Sequence, residues 1–175
     1  MIVVAVYCIN ISCVYGQEKN SKQYEQIELK EFYDTKGVIF PSDYEINIST
    51  VYHRPRFTPS VEEIARAEKI LSKIVNMILG GYKLGKELAD KNMRSYYRQY
   101  VGVIKENHNK LILLSMLDFS DPGTYEVSKD WQTSFVCWFG QGINYRYFVI
   151  NIDTGEIDED SFPVLDEHWF LKRSE

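Results

Sequence analysis

Thr58 to Ile78 reads as a single amphipathic helix, and a helix of that kind has to lie on an apolar layer. Thr58 is a good N-cap residue, Pro59 fits the first helical position, where its missing N–H costs nothing, and Glu62 and Glu63 put negative charge in the first turn. Val61, Ile64, Ala65, Leu71, Ile74, Val75 and Ile78 recur at helical spacing, with Ala67 and Glu68 between them. Arg66, Lys69, Ser72, Lys73 and Asn76 fall largely on the other side, and Gly80-Gly81 stops the run.

Beyond Lys83–Asn92, which is polar and can hold a further helical turn, the period changes to two. Ser95–Lys105 reads as a strand, Asn107-His108-Asn109 as a turn, and Leu111–Leu117 as a strand apolar enough to be central. Asp121-Pro122-Gly123 marks a turn in a longer loop. Trp131–Phe139 and Asn144–Asp153 form a second expected strand pair around Gly140-Gln141-Gly142, and Asp153-Thr154-Gly155-Glu156 is a closing turn. A helix followed by two antiparallel hairpins is an α+β pattern: one long N-terminal helix packed on an antiparallel sheet of four or more strands. This domain is expected over residues 58–175.

Before it, residues 17–57 are expected to wrap the domain as an extension, with short strands at Val38-Ile39-Phe40 and across Ile46–Tyr52. Residues 1–16 carry no charged side chain and turn abruptly polar at Gln17, which is the length and contrast of a signal-peptide core. Cleavage before Gln17 leaves Cys137 as the only cysteine, too few for an internal disulfide. The rival is acylation at Cys13 after Ile11-Ser12, which would anchor the chain in a membrane without a transmembrane span. Either way the chain is expected to be exported, to a periplasmic or extracellular location.

The segments Tyr96–Ile104 (YYRQYVGVI) and Trp138–Asp153 (WFGQGINYRYFVINID), with the Asp153–Glu156 turn, resemble the cystatin-like arrangement of a helix cradled by an antiparallel sheet. They also look like small exported proteins of Bacteroidetes-type bacteria. The resemblance spans Thr58 to Asp158 and implies the fold, not an activity. Cystatin-type inhibitors carry a Gln-x-Val-x-Gly loop, whereas Gln99-Tyr100-Val101-Gly102 lacks that spacing and falls in a strand.

A net charge of −5 and the absence of a basic stripe exclude a nucleic-acid backbone as partner. His53, His108 and His168 are scattered and none has a zinc-site neighbour at the right spacing. Placing Gly155 at the glycine of a calcium loop puts Ile150 and Ile152 where carboxylates are needed and Ser161 where the closing Glu belongs. Gly80-Gly81 followed by Gly85-Lys86 comes after a helix and lacks the Ser or Thr of a phosphate loop. No motif asks for a cofactor, a metal or a catalytic set.

Aromatic residues make up 14% of the chain, including 13 Tyr, and this richness carries the functional expectation. Tyr96, Tyr100, Trp138, Tyr145 and Tyr147 are expected to line the sheet face away from the helix and to bind a protein, peptide or glycan. The same alternation also serves cross-strand aromatic pairing with no ligand. Two other readings stand beside this non-catalytic binding module. One is a small enzyme or ligand scaffold with a pocket between helix and sheet, using Tyr97, Arg98, Asp118 and Arg146. The other is an immunity or inhibitor protein for a secreted toxin or protease, which suits the size and acidity.

Overall fold

The computed structural model describes residues 24–46, 53–79, 93–94, 96–119, 129–136 and 145–157, with 75–79 and 145–146 described by backbone alone. In chain order the elements are β1 (Glu25–Leu29), β2 (Thr35–Phe40), β3 (Arg56–Phe57), α1 (Val61–Leu79), β4 (Tyr96–Ile104), β5 (Lys110–Asp118), β6 (Tyr145–Asn151) and β7 (Glu156–Ile157). The strands form one sheet in the order β1-β2-β4-β5-β6-β7, with β3 pairing β4 beyond the end of β2.

The α+β class holds, and two details of the expected architecture change. The helix is not N-terminal, because three strands precede it; this departs from the cystatin-like order. The sheet is mixed, since β2 runs parallel to β4 with Gly37 opposite Arg98 and Phe40 opposite Val101, while the other pairs are antiparallel. Adjacent parallel strands need a long crossover, and the chain between β2 and β4 supplies one that contains α1. Residues 35–40 therefore sit inside the sheet instead of wrapping it: Val38, Ile39 and Phe40 are fully buried. Of the expected strand at Ile46–Tyr52, residues 47–52 lie outside the described residues; Ile46 is buried.

The helix starts two residues later than its sequence signals indicate. Ser60 is the cap: its Oγ accepts the Glu63 N–H at 3.2 Å while Glu63 Oε2 accepts the Ser60 N–H at 2.9 Å, a reciprocal capping box. Thr58 instead accepts the Ser42 N–H through Oγ1, tying the loop after β2 to the helix entrance. Ile64, Ala67, Glu68 and Leu71 form the buried stripe, and Val61 is exposed. The helix stop at Gly80-Gly81 lies outside the described residues.

Strand alternation divides the core into two layers. Even positions of β4, β5 and β6 (Tyr96, Tyr100, Ile112, Leu114, Met116, Phe148, Ile150) join Ile27, Leu29 and Ile39 under α1. Odd positions (Val101, Val103, Leu111, Leu113, Leu117, Tyr147, Val149) join Val38 and Phe40 on the second face. Gly37 lies on the helix side because Tyr100 needs the space: a Cβ there would come 2.6 Å from the Tyr100 ring.

A charged pair holds the centre of the helix-side layer. Glu68 and Arg98 are both fully buried, with Arg98 Nε donating to Glu68 Oε1 at 3.1 Å. Tyr100 donates its hydroxyl to the same oxygen at 2.9 Å, and Arg98 spends its other nitrogens on the Tyr96 and Met93 carbonyls. Burial, with the Glu68 charge beside it, pushes the Tyr100 hydroxyl well above its ordinary pKa. With its donors directed to specific acceptors, the buried pair fixes one rotation of α1 on the sheet.

The expected strand at Trp131–Phe139 is not a strand over its described part, residues 131–136, which form turns and irregular chain. β6 pairs directly with β5 instead, and Ser115 faces Tyr147 across that pair.

Candidate functional site

The second face of the sheet is largely covered. Residues 41–46 lie over one part of it, where Tyr24, Phe40, Tyr44 and Phe135 pack with ring centroids 4.7 to 5.9 Å apart. Tyr44 Oη accepts the Phe135 N–H at 3.0 Å, and burial raises the Tyr44 hydroxyl above its ordinary pKa. Residues 130–136 cross the centre, held by a polar clamp rather than a ladder. Gln99 Nε2 donates to the carbonyls of Trp131 (2.5 Å) and Ser134 (2.8 Å), and its Oε1 accepts the Val136 N–H at 2.7 Å. Ser115 Oγ adds a bond to the Val136 carbonyl at 3.2 Å. A buried glutamine that uses both ends of its amide has its own polar groups satisfied, which is why it can sit among Val101, Leu113 and Val149.

Beside this cover, among the described residues, lies a cleft of about 610 Å³, within the usual size of small-ligand sites of about 300–1,000 Å³. One side is the β1–β2 hairpin, with exposed Gln26, Glu28 and Lys36. The other is Tyr97 from β4, Phe119 at the end of β5 and Trp131 from the covering segment, with Lys129 and Gln132 beside them. The three rings are half-buried and touch one another: centroids are 4.8 Å apart for Tyr97–Phe119, 5.0 Å for Tyr97–Trp131 and 6.1 Å for Phe119–Trp131, with planes tilted by 34 to 60°. The Gln99 clamp on the Trp131 carbonyl fixes the position of that wall.

The expected binding residues are not gathered here. Tyr96 and Tyr100 point into the helix-side layer and are buried, Tyr100 completely. Tyr147 lies on the other face, buried in the second layer. The expectation of one shared tyrosine face fails on register: Tyr100 stands opposite Leu114 and Leu114 opposite Phe148, so even positions of β4 share a side with even positions of β6. Tyr145, opposite Leu117, belongs with the odd set by register. Trp138 and Cys13 lie outside the described residues. Tyr97, considered above as a polar group for an enzyme pocket, is the one named residue that lines the cleft, while its neighbour Arg98 is consumed by Glu68.

Among the described residues, the helix–sheet layer where that enzyme pocket was expected packs Ile64, Ala67, Glu68 and Leu71 against Tyr100, Arg98 and Phe148. Of the three histidines, His53 is exposed in a turn, His108 is exposed in the β4–β5 turn with a φ of 66°, and His168 lies outside the described residues. Among the described residues no group of three or more His, Cys, Asp or Glu is placed to hold a metal ion, and no helix is long and apolar enough to cross a membrane. No family model, curated relative or solved structure matches the chain.

Proposed function

We propose that the chain is an exported, non-catalytic binding module that takes its ligand in the cleft between the β1–β2 hairpin and the Tyr97–Phe119–Trp131 wall. The observation that carries this reading is the half-buried aromatic trio, fixed from behind by Gln99 and left facing a concavity. Rings held in place before a ligand arrives offer large contact area at little entropic cost. The described lining includes one carboxylate, Glu28, and no His, Cys, Ser or Thr. Export rests on the uncharged run of residues 1–16 and its sharp polar boundary at Gln17.

Amide chemical-shift mapping against a panel of oligosaccharides and short peptides tests the site. Binding should perturb residues 26–28, 36–37, 97, 119 and 129–132, and Trp131→Ala should abolish it. Shifts confined to the outer surface of α1 would put the site elsewhere and end this reading. Mass spectrometry of the natural protein tests export: a mature end at Gln17 or an acylated Cys13 supports it, and an intact Met1 opposes it.

A further inference from the structure

Among the described residues the apolar part of the cleft is mostly ring surface. The one aliphatic side chain among the described lining residues, Ile27, is turned into the helix-side core. A peptide anchored by a large aliphatic side chain fills an apolar pocket, and the described lining residues supply none. What they supply are aromatic rings with the Gln132 amide beside them and the Gln26 amide on the opposite side. A pyranose ring has the matching chemistry. Its C–H edges carry partial positive charge and pack on the negative face of an aromatic ring, and its hydroxyls exchange water for amide partners.

Charge narrows the class further. Glu28 stands directly opposite Lys36 in the β1–β2 register, so those two offset one another. Lys129 adds a second exposed lysine, so the described lining residues carry one more lysine than carboxylate in a chain of net charge −5. We infer that the ligand is an oligosaccharide bearing an anionic group, with one sugar ring stacked on the Tyr97–Trp131 wall and its acidic group drawn to Lys129 beside that wall and to Lys36 across the cleft. This deepens the proposed binding function and rests on the same cleft.

Calorimetric titration of the whole chain with trigalacturonate, its methyl ester, cellotriose and an acidic pentapeptide tests it. Trigalacturonate should bind tightest, at least about 10-fold above its methyl ester, a difference that should shrink to under about 3-fold in Lys36→Gln/Lys129→Gln and in high salt. Trp131→Ala should abolish saccharide binding and Trp131→Phe should retain most of it, with unfolding midpoints confirming that both variants fold. If the methyl ester or cellotriose binds as tightly as the acid, the anionic assignment is overturned. Trp131-dependent binding of the peptide without any saccharide overturns the sugar assignment and leaves the binding cleft standing. If no ligand binds in a Trp131-dependent way, this inference and the proposed function fall together.

Discussion

The two faces of this sheet are built from the same strands by opposite means. On the helix side, apolar residues from α1, β1, β2 and β4–β6 close around one charged centre, Glu68–Arg98–Tyr100, and fill the layer. On the second side, irregular chain is held down by side chains, chiefly Gln99 of β4 with Ser115 of β5 and Tyr44, and its described part ends at an aromatic cleft. A regular helix buries a full stripe and leaves the layer solid. A clamped loop covers only as far as its hydrogen bonds reach. The two faces differ in how they are closed, and β4 serves both: Arg98 and Tyr100 point one way, Tyr97 and Gln99 the other.

The largest effect is expected from Glu68→Ala. It leaves the Arg98 guanidinium buried without its carboxylate, which should cost about 3–5 kcal/mol in urea unfolding. A cost below about 1 kcal/mol would mean that the helix side is not organised around this pair. Gln99→Ala should cost less, about 1–3 kcal/mol, because it strands two carbonyls and one N–H that lie nearer solvent. The two substitutions should differ in kind as well: Gln99→Ala should weaken ligand binding, and Glu68→Ala should leave the affinity of the folded fraction unchanged.

Tyr100→Phe sharpens the helix-side half. Losing the bond to Glu68 should cost about 1.5 kcal/mol at neutral pH. Because burial raises the Tyr100 hydroxyl above its ordinary value of 10.0, the unfolded state loses this proton first as pH climbs. The stability tied to the neutral hydroxyl is therefore complete below about pH 10 and declines above it, so the gap between wild type and Tyr100→Phe should narrow in alkali.

The smallest effect belongs to the helix entrance, where Ser60→Ala should cost about 1 kcal/mol. Burial alone would raise the Glu63 carboxyl, but the hydrogen bonds from Lys110 and the Ser60 N–H outweigh it and hold it below 4.5. That carboxylate's contribution is present above its unfolded value and disappears as pH falls through the folded one. Thermal unfolding should show this acid loss in wild type and in Ser60→Ala alike, because the variant keeps the backbone N–H that Glu63 accepts, and it should vanish in Glu63→Gln.

Elements whose signal is local were legible in the sequence. The helix, β4, β5, β6, the His108 turn and the Gly155 turn follow from period, caps and turn residues. Pairings between distant segments were not. Val38-Ile39-Phe40 read as a strand, yet nothing local says that it enters the sheet parallel to β4, because that depends on the crossover through α1. Glu68 lies four residues after Ile64 and three before Leu71, squarely on the apolar stripe, so a buried partner was inferable; which arginine answers it was not. Trp131, Thr133 and Phe135 alternate as a strand would, but their segment is bonded to the Gln99 side chain, and side-chain clamps leave no periodic trace. For the same reason the cleft residues Phe119 and Trp131 escaped notice. Tyr96-Tyr97 did carry a usable clue, since adjacent strand residues must face opposite sides and only one of the two can join the helix-side core.

Native-state hydrogen exchange in wild type and Gln99→Ala most directly tests the division between a solid face and a clamped one. In wild type the Val136 amide, bonded to Gln99 Oε1, and the Phe135 amide, bonded to Tyr44 Oη, should exchange far more slowly than free chain. In Gln99→Ala both should speed up toward the free rate while the amides of β4 and β5 keep their order of protection. A Val136 amide that already exchanges freely in wild type would contradict the clamp. Loss of protection spreading across β4 and β5 in the variant would contradict the separation of the two faces.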